Sequence, residues 1–204
     1  MTSIYLIRHG QTEFNRKGKL PGWLPGIHLN EHGRAQAAQV AELLQPTRFE
    51  AVYSSPLERA VETASAIASP QGKQVEIREG LGEVRVGRWE GLSLKSLRRR
   101  KLWQAIRFAP SLARFPEGES FVEAQTRIVT ELERLRSEHK GAIACVSHAD
   151  PIKLAIAYYI GLPLDQFQRL TIEPASVSVI AVEDHFARLV RMNDARTVGT
   201  APAG

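Results

Sequence analysis

The sequence predicts a three-layer α/β/α sandwich around a mostly parallel central sheet. Three observations predict it. Short apolar runs alternate with longer stretches of helical periodicity along most of the chain, which is the order of β-α-β units. The run Ala142–Ser147 is nearly all apolar, as a strand buried on both faces requires. The 204 residues show no internal repeat, low-complexity block or linker, a length that suits one domain with a substantial core.

Taken in order, Ser3–Ile7 is the first strand. Asn30 can cap a helix running to about Leu44, with Val40, Leu43 and Leu44 on its apolar side. Phe49–Tyr53 is the second strand. Ser55-Pro56-Leu57-Glu58 then reads as a helix start, with Ser55 as cap, Pro56 in the first helical position and Glu58 closing a capping box. Leu57, Ala60, Val61, Ala64, Ile67 and Ala68 follow at helical spacing. Gln74–Ile77 is a short strand, and Leu92–Phe108 reads as a basic helix. Ser120-Phe121-Val122-Glu123 is a second capping box, opening a helix with Val122, Ile128, Val129, Leu132 and Leu135 on one side. After Ala142–Ser147, Asp150 can cap a helix from Pro151 to Ile160, ended by Gly161. Ser176–Val182 and Ala187–Met192 alternate like two strands joined by a turn. Residues 1–195 form one expected catalytic domain, with 92–118 as a modest basic insertion near the site and 196–204 as a flexible tail.

Composition excludes some functions. Hydrophobic residues make up 43% and charged residues 24%, ordinary values for a globular protein. No apolar run nears the roughly 20 residues that span a bilayer, and the N-terminus lacks the pattern of a secretion signal. Cys145 is the only cysteine, so no internal disulfide can form, and a cytoplasmic location is expected with no membrane partner. Within Ala142–Val146 it reads as a small buried hydrophobe. The net charge is +5, with the tightest basic cluster at Arg98, Arg99, Arg100 and Lys101. Such a cluster reads as a solvated face or as a funnel for a small anion. Without zinc-finger spacing, an RNA-recognition signature or an aromatic ladder, no nucleic-acid partner is expected. Exposed sheet edges could support a homodimer. Trp103 and Phe108 either pack the basic helix onto the body or form an apolar lid. His28, His32, His139 and His185 read as surface or loop histidines.

In open sheets of this class, ligands gather beyond the carboxyl ends of the strands. Arg8, His9 and His148 follow strand ends, and Arg59 lies one short turn beyond Tyr53, so all four can converge on one rim. Their chemistry is that of phosphoryl transfer. A phosphate monoester carries about two negative charges near neutral pH. Arg8 and Arg59 can each offer paired N–H donors to its oxygens, and backbone N–H groups near Arg59 favour the same anion. A neutral His9 can attack phosphorus if its other N–H is held by a carbonyl, and His148 can donate a further hydrogen bond. The leaving alkoxide needs a proton, for which Glu83 is the candidate general acid. Nearby arginines would lower its pKa from the reference of about 4.3, while burial or a bound dianion would raise it.

Taken together, these stretches resemble the histidine phosphatase superfamily, also called the phosphoglycerate-mutase-like family. The matching text is Leu6-Ile7-Arg8-His9-Gly10-Gln11-Thr12-Glu13-Phe14-Asn15, Gly22-Trp23, Leu29-Asn30-Glu31-His32-Gly33-Arg34-Ala35-Gln36-Ala37, Tyr53-Ser54-Ser55-Pro56-Leu57-Glu58-Arg59-Ala60 with Thr63-Ala64, Glu83 with Gly87-Arg88-Trp89-Glu90-Gly91, Gly118-Glu119-Ser120 and Val146-Ser147-His148. The resemblance implies transient phosphorylation of His9, a phosphate pocket completed by Arg8, Arg59 and His148, and Glu83 as proton donor. It also implies that Asn15 and Gly22 line the pocket and that no metal is needed, in keeping with the absence of clustered ligand spacings. No cofactor is expected, and the partner is a small phosphorylated metabolite.

Two departures stand out. The family often has glycine after the second histidine, whereas here the run is His148-Ala149-Asp150-Pro151, with Asp150 read as a helix cap near the rim. The segment between Leu92 and Gly118 is short beside the substrate-enclosing insertion of the glycolytic mutases. The resemblance is closer to small bacterial members, both phosphatases and probable phosphomutases. The expected function is therefore metal-independent phosphomonoester hydrolysis through a phosphohistidine at His9. The alternatives are a phosphomutase and a non-catalytic phospho-ligand binding module.

Overall fold

A computed structural model describes residues 1–183 and 186–195. The expected tail beyond 195 and the reading of His185 lie outside these residues. The described elements are β1 (Thr2–Arg8), α1 (Glu13–Arg16), α2 (Glu31–Leu44), β2 (Phe49–Ser54), α3 (Glu58–Ala68), β3 (Val75–Ile77), α4 (Leu94–Leu97), α5 (Lys101–Phe108), α6 (Phe121–Glu138), β4 (Ala142–Ser147), α7 (Ala149–Tyr159), β5 (Val177–Glu183) and β6 (Phe186–Asp194). Six strands form one sheet in the order β3-β2-β4-β1-β5-β6. β3, β2, β4 and β1 run parallel, β5 pairs antiparallel with β1, and β6 pairs antiparallel with β5.

Side-chain alternation along the strands feeds two cores. Ile4, Leu6, Ile143 and Cys145 pack with Leu132, Leu135, Leu154 and Ile156 of α6 and α7 on one face. Ile7, Val52, Ala144 and Val146 pack with Val40, Leu44, Ala60 and Ala64 of α2 and α3 on the other. The result is the three-layer sandwich that the alternating pattern predicted. β4 is flanked by parallel strands on both sides and its inner residues are buried, which explains its unbroken apolar run. Among the described residues no helix is long and apolar enough to cross a membrane.

Four local expectations are corrected. Ser55 does not cap α3: the helix starts at Glu58 with Leu57 in the cap position and no side-chain cap, so Pro56 precedes it. The cause is that the Ser55 N–H donates to the Val146 carbonyl at 3.0 Å, which keeps Ser55 tied to the sheet. Asp150 does not cap α7 either. His148 holds that position, and Asp150 lies in the first turn beside Lys153 at 3.3 Å. Val122 is 47% exposed, and Phe121 and Ala124 take the inward positions of the first turn of α6. Finally, the basic stretch is two helices rather than one. Leu97 and Ile106 are both buried, yet nine residues apart they would face opposite sides of a continuous helix at about 100° per residue. The break over 98–100 restores a common inward face and leaves Arg98–Lys101 exposed at the kink. Trp103 stacks on Trp89 at 6.3 Å between ring centroids, whereas Phe108 stays 68% exposed.

His28 and His32 are exposed, the former paired with Glu62. His139 is half-buried and bridges two elements: its Nδ1–H donates to Glu50 at 2.9 Å and its Nε2 accepts from the Tyr53 hydroxyl at 2.8 Å. Cys145 is fully buried, and burial pushes its thiol pKa up, so it stays neutral.

Candidate active site

The site is assembled by strand register. β1 and β4 are parallel neighbours with Arg8 opposite Ser147, so the residues that follow, His9 and His148, emerge side by side. The His9 N–H donates to the Ser147 carbonyl at 3.0 Å, extending the ladder by one rung. β2 lies on the other side of β4 with Ser54 opposite Val146. Ser55, His148 and His9 therefore stand at the tips of three adjacent parallel strands. The two imidazoles meet at 5.0 Å between centroids with planes 61° apart.

The His9 ring has a defined tautomer. Its Nδ1 lies 2.7 Å from the Gly10 carbonyl oxygen, which only accepts. The ring proton therefore sits on Nδ1 and the lone pair on Nε2. Burial, then the charges of Arg59 and Arg8, hold its pKa well below the usual histidine range, so the ring is neutral. Burial and the same arginines act on His148, whose Nε2 lies 2.8 Å from the Ser55 hydroxyl. Gly10 packs too closely for any side chain, since a Cβ there would lie 2.5 Å from the Gly33 carbonyl oxygen. Its N–H donates to Thr63 Oγ1 at 3.1 Å, and that hydroxyl donates to the Arg59 carbonyl at 2.8 Å. The loop after β1 is thereby pinned to α3.

Arg59, in the first turn of α3, is fully buried. Its Nη2 donates to the Gly22 carbonyl at 2.9 Å, while Nε and Nη1 have no partner in the protein. Arg8 Nη1 donates to the Ile172 carbonyl at 2.6 Å, and its Nε is likewise unpartnered. His148 Nδ1 is a fourth such atom. Each guanidinium is thus anchored through one nitrogen while others stay free to bind an anion. Among the described residues no group of three His, Cys, Asp or Glu side chains could hold a metal ion.

Glu83 completes the cluster, with Oε2 4.0 Å from His148 Nδ1 and 16% of its side chain exposed. Burial and then the neighbouring charge of Asp150 raise its pKa to about 7, against the pull of Arg59, the Val84 N–H and Arg8. The residue is held by its backbone. Its carbonyl accepts from Trp23 Nε1 at 2.7 Å and from Arg127 Nη2 at 3.1 Å, while Arg127 Nη1 also reaches the Gly80 and Gly82 carbonyls at 3.0 Å. Glu119 grips the same guanidinium at 2.8 and 2.9 Å.

The structure therefore brings Arg8, His9, Arg59, Glu83 and His148 together. Gly22 joins through its carbonyl on Arg59. Asn15 lies in α1, its side-chain oxygen accepting from Thr12 N and Thr12 Oγ1, both at 2.9 Å. Ser55, Thr63 and Arg127 are parts of the site that sequence reasoning passed over. Ser55 carried a misleading signal, because its position before Pro56 mimics a cap. Arg127 carried none, because one arginine on a long helix is ordinary.

A sequence model described as the histidine phosphatase superfamily (branch 1) matches residues 4–195. The chain belongs to that superfamily. Phosphoserine phosphatase 1 of Hydrogenobacter thermophilus is 29% identical over 196 residues, which span 95% of this chain and 92% of that protein. A 2,3-bisphosphoglycerate-dependent phosphoglycerate mutase of Thermoplasma acidophilum is 31% identical over 183 residues, 90% of this chain and 88% of the mutase. Among solved structures, the Entamoeba histolytica phosphoserine phosphatase in complex with 3-phosphoglyceric acid superposes with a TM-score of 0.88 at 28% identity, covering 97% of this chain and 99% of that one. The protein is an enzyme of the histidine phosphatase superfamily, with phosphatases and mutases among its relatives.

Proposed function

We propose that the enzyme hydrolyses phosphate monoesters of small metabolites through a phosphohistidine at His9, without a metal. Arg8 and Arg59 bind the phosphoryl oxygens, and His148 donates to a third. His9 Nε2 attacks phosphorus and the bond to the leaving oxygen breaks. Glu83 delivers its proton to that oxygen, then as carboxylate takes a proton from the water that attacks the phosphohistidine. Orthophosphate leaves and His9 returns to its neutral form. Charge compensation comes from the two guanidiniums, so no cation is required for it. The observation that carries this reading is the pairing of a bare His9 Nε2, fixed by the Gly10 carbonyl, with a Glu83 carboxyl whose pKa is about 7. A base ready to attack and an acid ready to donate thus coexist at neutral pH. The test is p-nitrophenyl phosphate turnover in the presence of a chelator. The wild type is expected to turn over and His9→Ala to lose at least about a thousandfold. Retained activity in His9→Ala removes the nucleophile, and chelator sensitivity removes metal independence.

A second reading, phosphomutase, is favoured by the likeness to the Thermoplasma acidophilum mutase. Phosphorus NMR with a phosphorylated hydroxy acid separates the two: isomer formed faster than orthophosphate supports the mutase.

A further inference from the structure

We propose that Ser55 is a positioning residue that selects the tautomer of His148, keeping the ring proton on Nδ1, the nitrogen nearer Glu83. The proposal deepens the reading of His148 as a hydrogen-bond donor to a phosphoryl oxygen and rests on it.

Ser55 and His148 are both fully buried, so every polar atom of the pair needs a partner from the protein or the substrate. Among the described residues Ser55 Oγ has two partners: the Leu57 N–H, which donates to it at 3.3 Å, and His148 Nε2 at 2.8 Å. Two proton arrangements are conceivable. If Nε2 carried the proton, the hydroxyl would accept twice and its own hydrogen would have no acceptor, a costly state in a buried site. If the hydroxyl donates to Nε2, all three groups are satisfied. A neutral ring whose Nε2 accepts holds its single proton on Nδ1. That nitrogen is buried, has no partner in the protein and lies 4.0 Å from Glu83 Oε2. An N–H is therefore presented beside the free donors of Arg8 and Arg59. His9 is held the opposite way, with Nδ1–H on the Gly10 carbonyl and Nε2 bare. The two neighbouring imidazoles thus present one lone pair for attack and one N–H for an oxygen.

The backbone keeps Ser55 in place for this task. Its N–H is bonded to the Val146 carbonyl at 3.0 Å, and its own carbonyl accepts from Ser54 Oγ at 2.8 Å. The hydroxyl is therefore carried by the sheet and not by the start of α3. Without it, no group on that side of the ring favours the Nδ1–H form, and an approaching phosphate dianion would meet the lone pair of the other tautomer.

The experiment is two-bond 15N–1H correlation spectroscopy of the histidine rings in the full chain, with His148 assigned by comparison with His148→Gln. The wild type is expected to show a protonated Nδ1 and a bare Nε2 on His148. Ser55→Ala is expected to move the ring toward Nε2–H and to weaken orthophosphate inhibition about tenfold, the worth of one such hydrogen bond. Ser55→Thr, which keeps the hydroxyl, restores both. A wild-type His148 protonated at Nε2 overturns the proposal, and this outcome does not depend on whether Ser55→Ala folds. An unchanged tautomer in a folded Ser55→Ala overturns it equally, as does unchanged orthophosphate inhibition once the tautomer has moved. Failure of the phosphohistidine reading shows separately, as turnover by His9→Ala with the tautomer assignment intact.

Discussion

The rings of His9 and His148 stand 5.0 Å apart, and each is kept neutral chiefly by burial and next by the charge of Arg59. A neutral ring at His9 is the state that can attack phosphorus. Because its pKa lies well below 6.5, that state persists into moderately acid solution. The acid limb of the pH profile for p-nitrophenyl phosphate should therefore fall well below 6.5. Steady-state rates from pH 4 to 8 check this, and an acid limb at or above 6.5 contradicts it.

Glu83 titrates in the opposite sense. Its pKa is raised from 4.5 to about 7, so the proton needed by a poor leaving group is lost as the pH climbs through neutrality. Hydrolysis of an alkyl phosphate should decline above about pH 7, while p-nitrophenyl phosphate, whose leaving group needs little help, should decline less. Asp150 is the charge that most raises the Glu83 pKa after burial. Asp150→Asn should therefore move the alkaline limb to lower pH, and an unmoved limb would refute the coupling.

The same shift has a cost in stability. Between pH 4.5 and about 7 the folded state keeps a proton that the unfolded chain releases, so stability drops as the pH rises through that window. Glu83→Gln removes this dependence. At pH 8 it should be more stable than the wild type by about 1–3 kcal/mol, with the advantage shrinking toward pH 4.5. Urea unfolding at the two pH values measures it.

Arg59 is a buried cation with two unpartnered nitrogens, which suits an anion-binding group better than a stabilising one. Arg59→Met should fold with stability equal to or above the wild type in phosphate-free buffer, yet lose at least about a hundredfold in kcat/KM. Millimolar orthophosphate should raise the Tm of the wild type and leave that of Arg59→Met unchanged. A phosphate-dependent shift that survives in the variant would place the anion elsewhere.

Gly22 supports Arg59 through its carbonyl from a left-handed backbone, φ +53°, where a Cβ would lie 2.6 Å from Glu90 Cγ. Gly22→Ala should cost roughly 1–3 kcal/mol of stability and raise KM more than it lowers kcat. Thermal unfolding together with steady-state kinetics tests both effects.

Much of the fold was legible because its signals are local. The apolar runs of β1 and β4 follow from side chains meeting helical layers on both faces of the sheet, and the Ser120 capping box sits within four residues. The misreadings arose where a local signal competed with a distant partner. Ser55 looks like a cap in sequence, but its N–H belongs to Val146 and its hydroxyl meets His148. The basic stretch reads as one helix until Leu97 and Ile106 must both turn inward. Arg127 matters because it gathers the carbonyls of Gly80, Gly82 and Glu83, more than forty positions away.

Periodicity and strand-end position thus determined the layers and the rim on which Arg8, His9 and His148 stand. Which ring nitrogen carries a proton, and whether Glu83 holds one near pH 7, only the folded chain decided. Those states depend on burial and on charges and carbonyls brought close by folding. Both vary steeply with distance in three dimensions and hardly at all with separation along the chain.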